Sequence, residues 1–304
     1  MVVAERVRPD QQILKWRERI VEVIRQREGL RALLLAGPGG LWLLLFFLLP
    51  IAIVFAYSFA HRGPYGTVAW AFTIENYTRF FDWLYIRVFL VSVWLALLST
   101  IICLVIGYPF AYVIARAPRR WRNALLVLVL IPFWTNFLVR TYAIMLLLRA
   151  DGLINNALLW LGVIERPLPM LFTPFAVVLG LVYGYLPFMI LPIYASIEKF
   201  DFTLVEAAQD LGANTWHVFW RVLLPLTLPG VLAGSILVFI PSVGAFVTPD
   251  LLGGGKVVMI ANLINQQFLT VRHWPFGSAV SFVLMAIVLA ATMLYFRLGE
   301  GRRV

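Results

Sequence analysis

Val88-Phe-Leu-Val-Ser-Val-Trp-Leu-Ala-Leu-Leu-Ser-Thr-Ile-Ile-Cys-Leu-Val-Ile-Gly-Tyr-Pro-Phe-Ala-Tyr-Val-Ile-Ala115 contains no Asp, Glu, Lys, Arg or His. As a helix it is about 42 Å long at 1.5 Å per residue, enough to cross a hydrocarbon layer of about 30 Å. Working outward, five further apolar runs are read: Ala32–Phe59, Asn123–Leu148, Thr173–Ile197, Pro229–Val247 and Gly277–Phe296. Six such runs are too many and too long for the buried core of a soluble domain. They are also too uniformly apolar for barrel strands, which alternate. In lipid the backbone must satisfy its own hydrogen bonds, so each run is expected as a helix. The expected fold class is all-α, a polytopic membrane protein with six transmembrane helices.

Composition agrees. Hydrophobic residues make up 62% and charged residues 13%, against roughly 45–50% and about 25% in soluble domains. The net charge of +10 would suggest nucleic acid if clustered on a soluble domain, but here it follows topology. Seventeen Lys and Arg fall on one side of the six runs. They lie in the N-terminal tail (Arg6 to Arg31), the second-to-third loop (Arg116, Arg119, Arg120, Arg122), the fourth-to-fifth loop (Lys199, Arg221) and the C-terminal tail (Arg297, Arg302, Arg303). Seven fall on the other: Arg62, Arg79, Arg87, Arg149, Arg166, Lys256 and Arg272. The heavier side is expected to be cytoplasmic, with both termini there.

The chain is expected to divide into a cytoplasmic N-terminal segment (1–31), a first helix with its outer loop (32–85), a five-helix core (86–297) and a short tail (298–304). About thirty mostly polar residues before the first run argue against a cleavable signal. Asp10–Arg31 reads as an amphipathic helix on the lipid surface or as a solvated topogenic tail. Membrane lipid is thus an expected partner, and nucleic acid is not. One cysteine, Cys103, and three scattered histidines, His61, His217 and His273, offer no metal-ligand spacing, so neither metal nor cofactor is expected. Gly253-Gly-Gly-Lys256 lacks a phosphate loop's first glycine (Asp250 stands there) and its Ser/Thr (Val257 stands there). It reads as a flexible outer loop.

The fourth-to-fifth loop, Asp201–Pro225, is the most informative. Thr203 and Glu206 have capping-box spacing, Leu204–Leu211 reads as a short helix, Gly212 stands at a helix C-terminus, and Thr215 can cap a second helix through Leu224. Pro225 then precedes the fifth span. A helix–turn–helix lying across the spans could transmit motion from a cytoplasmic partner, or serve simply as an interfacial hairpin.

Glu206-Ala207-Ala208, Gly212 six positions after the Glu, and Val222-Leu-Leu224-Pro225 resemble the EAA signature of ATP-binding cassette importer permeases, with Val222 in place of the family's Ile. The resemblance extends over Phe72–Phe296. Ile131-Pro-Phe-Trp-Thr-Asn136, Leu138-Val-Arg-Thr-Tyr142, Tyr185-Leu-Pro-Phe-Met-Ile-Leu-Pro192, Gly244-Ala-Phe-Val-Thr-Pro249, Asn262-Leu-Ile-Asn-Gln-Gln-Phe268 and His273-Trp-Pro-Phe-Gly277 are similar to the spermidine/putrescine-type permeases, the first of the two paired permeases in particular. The resemblance implies a type I importer permease fold in a bacterial cytoplasmic (inner) membrane. It also implies a second homologous permease, two ATPase subunits and a periplasmic or extracellular solute-binding protein as partners. ATP would be hydrolysed in the partner subunits, so this chain would be a transporter subunit and not an enzyme. Glu206, Ala207, Ala208, Asp210, Gly212, Leu224 and Pro225 would couple to the ATPase.

For the solute path the candidates are Arg140, Trp134, Asn136, Tyr142 and Tyr185. Arg140 is ionisable and inside a span, where charge is costly; it reads as part of the path, or as an arginine that snorkels or pairs with a neighbouring subunit. Trp134, Tyr183, Tyr185 and Phe188 could hold an ammonium group on their ring faces or act as packing anchors. The solute is read as a polyamine or related small amine, with an amino-acid derivative or opine as the alternative. An ion-coupled carrier would need intramembrane acids near the midplane, and none is evident. An enzyme would need a nucleophile–base set or paired acids, which is also lacking.

Overall fold

The computed structural model describes residues 28–300. Most of the Asp10–Arg31 amphipathic segment lies outside the described residues, as do Arg302 and Arg303 of the tail. The chain forms two compact units, divided between Tyr57 and Ser58.

The first unit carries α1 (Glu28–Leu43), a widened π turn (Leu44–Leu48) and most of α2 (Leu49–Ser58). Leu41, Trp42, Phe46 and Phe47 are exposed, as suits a helix solvated by lipid.

The second unit opens with a short antiparallel pair, β1 (His61–Arg62) and β2 (Val68–Ala69), with His61 opposite Ala69. Then come α3 (Glu75–Phe80), α4 (Trp83–Arg116), α5 (Arg119–Trp134), α6 (Phe137–Leu148), α7 (Leu153–Trp160) and α8 (Pro174–Glu198). They are followed by α9 (Thr203–Asp210), α10 (Thr215–Val218), α11 (Leu224–Val243), α12 (Val247–Gly253), α13 (Ile260–Leu269) and α14 (Trp274–Glu300).

The core is built on α8, whose principal neighbours are α4 and α11. Gly230 and Gly234 of α11 face α8. A Cβ at Gly230 would stand 2.7 Å from the Pro192 carbonyl oxygen, and one at Gly234 3.0 Å from that of Met189. Two small residues four apart let helix backbones approach closely in lipid, where no hydrophobic drive separates helix from tail. Buried hydroxyls tie the same helices together: Tyr108 of α4 and Thr227 of α11 lie 2.9 Å apart, and Thr227 Oγ1 donates to the Leu223 carbonyl at 2.7 Å. Across the unit, Ser92 Oγ accepts the Ile260 N–H at 2.7 Å.

Among the described residues, five helices are long and apolar enough to span a membrane, and a bent pair can supply the sixth. Three expectations are corrected. The Asn123–Leu148 run is not one helix; α5 and the α6–α7 segment meet at 88°. The fifth span is longer than Pro229–Val247: Thr215 to Val243 is one helical rod, with a π turn at Phe219–Leu223. Pro225 sits just beyond that turn, where its missing N–H and bulky ring disfavour ordinary α-helical pairing. The glycine run is a packed turn instead of a flexible loop. Gly254 caps α12 in the left-handed conformation, a Cβ there would meet the Phe172 ring, and Val257 is buried.

Candidate functional site

The α9–α10 hairpin is set by its caps. Thr203 and Glu206 do not form the expected capping box. Asp201 Oδ1 instead accepts the Thr203 N–H at 3.0 Å, and that bond holds the Asp201 carboxyl below its ordinary pKa. At the far end Gly212 takes φ +85°. The Gly212 N–H donates to Gln209 O at 2.8 Å and the Ala213 N–H to Ala208 O at 3.0 Å, the paired bonds of a Schellman turn. Asn214, not Thr215, caps the next helix: its Oδ1 accepts the His217 N–H at 2.8 Å.

Aromatic anchors seat this hairpin on α4. Phe202 packs edge-on to Tyr112 at 6.4 Å, and the Arg116 guanidinium lies 4.8 Å from its centroid. Phe219 meets Tyr108 edge-on at 5.4 Å. Beside them Arg122 Nη1 pairs with Glu198 at 2.9 Å and Nη2 donates to Ala115 O at 3.0 Å, joining α5, α8 and α4. Sequence reasoning missed Phe202, Phe219, Tyr108, Tyr112, Arg116 and Arg122 as members of the site. Their one signal is that aromatics recur in a loop that also carries Asp201, Glu206, Asp210 and Arg221.

Glu206, Ala207, Asp210 and Gly212 are exposed on the hairpin, Ala208 is half-buried, and Leu224 and Pro225 begin α11. Among the described residues the Glu206 carboxylate has no ion-pair partner within the chain. Leu211 at the tip is 89% exposed and Trp216 67%; apolar groups so placed on a protrusion mark a contact surface. Between the two short helices lies a groove of about 460 Å³, lined by residues including Ala208, Gly212, Asn214, His217 and Arg221.

The path candidates are only partly brought together. Asn136 caps α6 by accepting the Leu138 N–H at 2.8 Å, and Thr135 Oγ1 donates to the Pro132 carbonyl at 2.7 Å. Arg140, one turn on, lies 5.6 Å from the Phe133 ring. Phe133 meets Phe188 of α8 at 4.9 Å, Phe188 lies 6.2 Å from Tyr185, and the Tyr185 hydroxyl donates to Pro241 O at 3.4 Å. Trp134 and Tyr142 are exposed and join no ring contact among the described residues. No group of three or more His, Cys, Asp or Glu that could hold a metal occurs among the described residues.

A bundle of membrane-length helices bearing a short, aromatically anchored helical hairpin defines an integral membrane protein with a protruding contact surface. The chain belongs to the family described as the inner membrane component of binding-protein-dependent transport systems, whose model matches residues 104–303. It is 47% identical over 256 residues to the spermidine/putrescine transport system permease protein PotB of Escherichia coli (strain K12), covering 84% of this chain and 93% of that protein. PotB of Haemophilus influenzae is 47% identical over 259 residues, covering 85% of this chain and 91% of that protein. Among solved structures, a bacterial ABC transporter that imports the acidic polysaccharide alginate aligns with TM-score 0.68 at 21% identity. That alignment covers 92% of this chain and 99% of the solved one, and it supports the importer-permease fold.

Proposed function

We propose that this chain is one permease half of an ATP-driven importer for spermidine, putrescine or a closely related amine. The observation that carries the reading is the hairpin. Its exposed face (Glu206, Ala207, Asp210, Leu211) is free for a partner, while Phe202 and Phe219 lock it onto Tyr108, Tyr112 and Arg116 of α4. A push on α9 therefore acts on a spanning helix and is not absorbed by a loose loop. The PotB likeness supports the solute.

In this reading both termini and the hairpin face the cytoplasm, two ATPase subunits receive the hairpins of this chain and of a second permease, and a solute-binding protein delivers cargo on the other side. Glu206, Ala207, Ala208, Asp210, Gly212, Leu224 and Pro225 form the coupling element. Closure of the ATPases drives α4 and α11 between inward- and outward-open arrangements. Arg140, Trp134, Asn136, Tyr142 and Tyr185 flank the path.

Purification of the complex tests this. The chain is expected to bring down an ATPase and a second permease, and spermidine-loaded binding protein is expected to stimulate ATP hydrolysis. Purification of the chain alone, with uptake driven by an ion gradient, would overturn the reading.

A further inference from the structure

Arg140 carries a charge that no carboxylate among the described residues answers. Its guanidinium lies between two rings, 5.6 Å from the centroid of Phe133 and 5.6 Å from that of Phe137. Nε and Nη1 are buried, and neither has an acceptor among the described residues. Ring faces attract a cation, but they leave the in-plane N–H donors of a guanidinium unsatisfied. The group keeps its proton in proteins, so it stays charged and calls for an anion.

The carboxylates that form ion pairs within the described residues are engaged elsewhere: Asp151 with Arg149 at 3.0 Å, Glu198 with Arg122 at 2.9 Å, Glu75 beside His61 at 3.9 Å. A snorkelling arginine carries its head toward the lipid phosphates; here the rings hold it down with two nitrogens buried. A polyamine is itself a cation and brings no counter-charge. Around it Trp134 is 82% exposed, Val139 63% and Tyr142 50%, so this face is open to a neighbouring helix within the membrane. Aromatic and apolar groups around an ion pair exclude water and strengthen it.

We propose that Arg140, beside the break between α5 and α6, receives a carboxylate side chain from the second permease when the two halves pair. This rests on the importer reading above. The carboxylate first meets the Nη2 edge, the part of the guanidinium not buried beneath the rings.

The test uses the whole purified complex. In an Arg140→Lys variant a water-soluble carbodiimide can join the introduced amine to any carboxylate in contact with it, and mass spectrometry reads the adduct. The expected adduct joins position 140 to an Asp or Glu of the second permease. Arg140→Met is expected to lower recovery of the second permease at least tenfold, with Arg140→Lys retaining it. Absence of an adduct, together with wild-type assembly and uptake by Arg140→Met, would overturn the proposal. Intact assembly with a raised KM for spermidine in Arg140→Met would overturn it by placing Arg140's role at the solute. Recovery of the second permease that depends on anionic lipid in wild type, and does not in Arg140→Met, would overturn it in favour of a phosphate. If the wild-type chain brings down neither a second permease nor an ATPase, it is the importer reading that fails.

Discussion

The chain turns sharply at two places capped by asparagine, and the two turns differ in what surrounds them. At Asn214, between α9 and α10, the neighbours Leu211, Gly212, Thr215, Trp216 and His217 are exposed and a glycine at φ +85° makes the reversal. At Asn136, between α5 and α6, the neighbours are Phe133, Trp134, Phe137 and Leu138, inside an apolar run, and no glycine is present. The first break is of the kind water favours; the second stands where few donors or acceptors are available, and the chain supplies its own. Thr135 returns a hydrogen bond to the Pro132 carbonyl and Asn136 satisfies the Leu138 N–H. Proline alone does not explain the bend, because α8 runs unbroken through Pro187 and Pro192. There α4 and α11 press on the helix. A break in a membrane helix thus needs local capping partners and freedom from lateral packing, and proline only permits it.

The largest effect is expected at the hairpin. Gly212→Pro requires φ near −65° where the turn holds +85°, so uptake should fall to background while membrane insertion is retained. Retained uptake would sever the hairpin from coupling.

The two asparagines can be compared directly. Asn214→Ala should cost about 1 kcal/mol, the usual loss of a helix cap, read as a lowered Tm in detergent. Asn136→Ala should cost more, up to ~2 kcal/mol, because less water is available there to replace the lost bond. Equal shifts would mean that depth in the membrane does not distinguish the two breaks.

A third cap is titratable. The Phe276 N–H donates to His273 Nδ1 at 3.2 Å at the start of α14, and Arg79 Nη1 lies 3.5 Å from Nε2. Burial first, then the charges of Arg79 and Arg62, hold the His273 pKa below its ordinary value of 6.5. Between the folded and unfolded values the unfolded chain holds the extra proton, so stability rises with pH. The contribution is complete above 6.5 and is lost as pH falls through the lowered folded value. An imidazolium has no lone pair left to accept the Phe276 N–H. Thermal unfolding should therefore show a shallow acid-side slope that His273→Gln flattens.

The smallest change is expected from Pro132→Ala. If the caps make the break, a pair of spin labels on α5 and α6 should report a distance altered by less than one helical turn, about 5.4 Å. Straightening of the pair would assign the bend to proline after all.

The long apolar runs, the charged positions of the Asp201–Pro225 loop and the glycine turn at Gly212 were all legible from residue order, because hydrophobic length, charge placement and left-handed φ preference are local properties. The spacing from Glu206 to Pro225 was enough for the importer resemblance. The capping was read less well: Thr203 and Thr215 were plausible from composition, yet Asp201 and Asn214 took those roles, since neighbouring polar side chains compete for the same N–H groups and backbone geometry chooses among them. The unbroken rod from Thr215 to Val243 and the bend at Asn136 were not legible, because an apolar run with a proline reads the same in both. Lateral packing separates them: Gly230 and Gly234 seat α11 against Met189 and Pro192 of α8, whereas α5 has no such close seat along its length. The same holds for Phe202 and Phe219, whose partners Tyr112 and Tyr108 lie about a hundred residues away in sequence. Contacts at that separation exist only once the helices have packed, and they are what turns a helical hairpin into a lever.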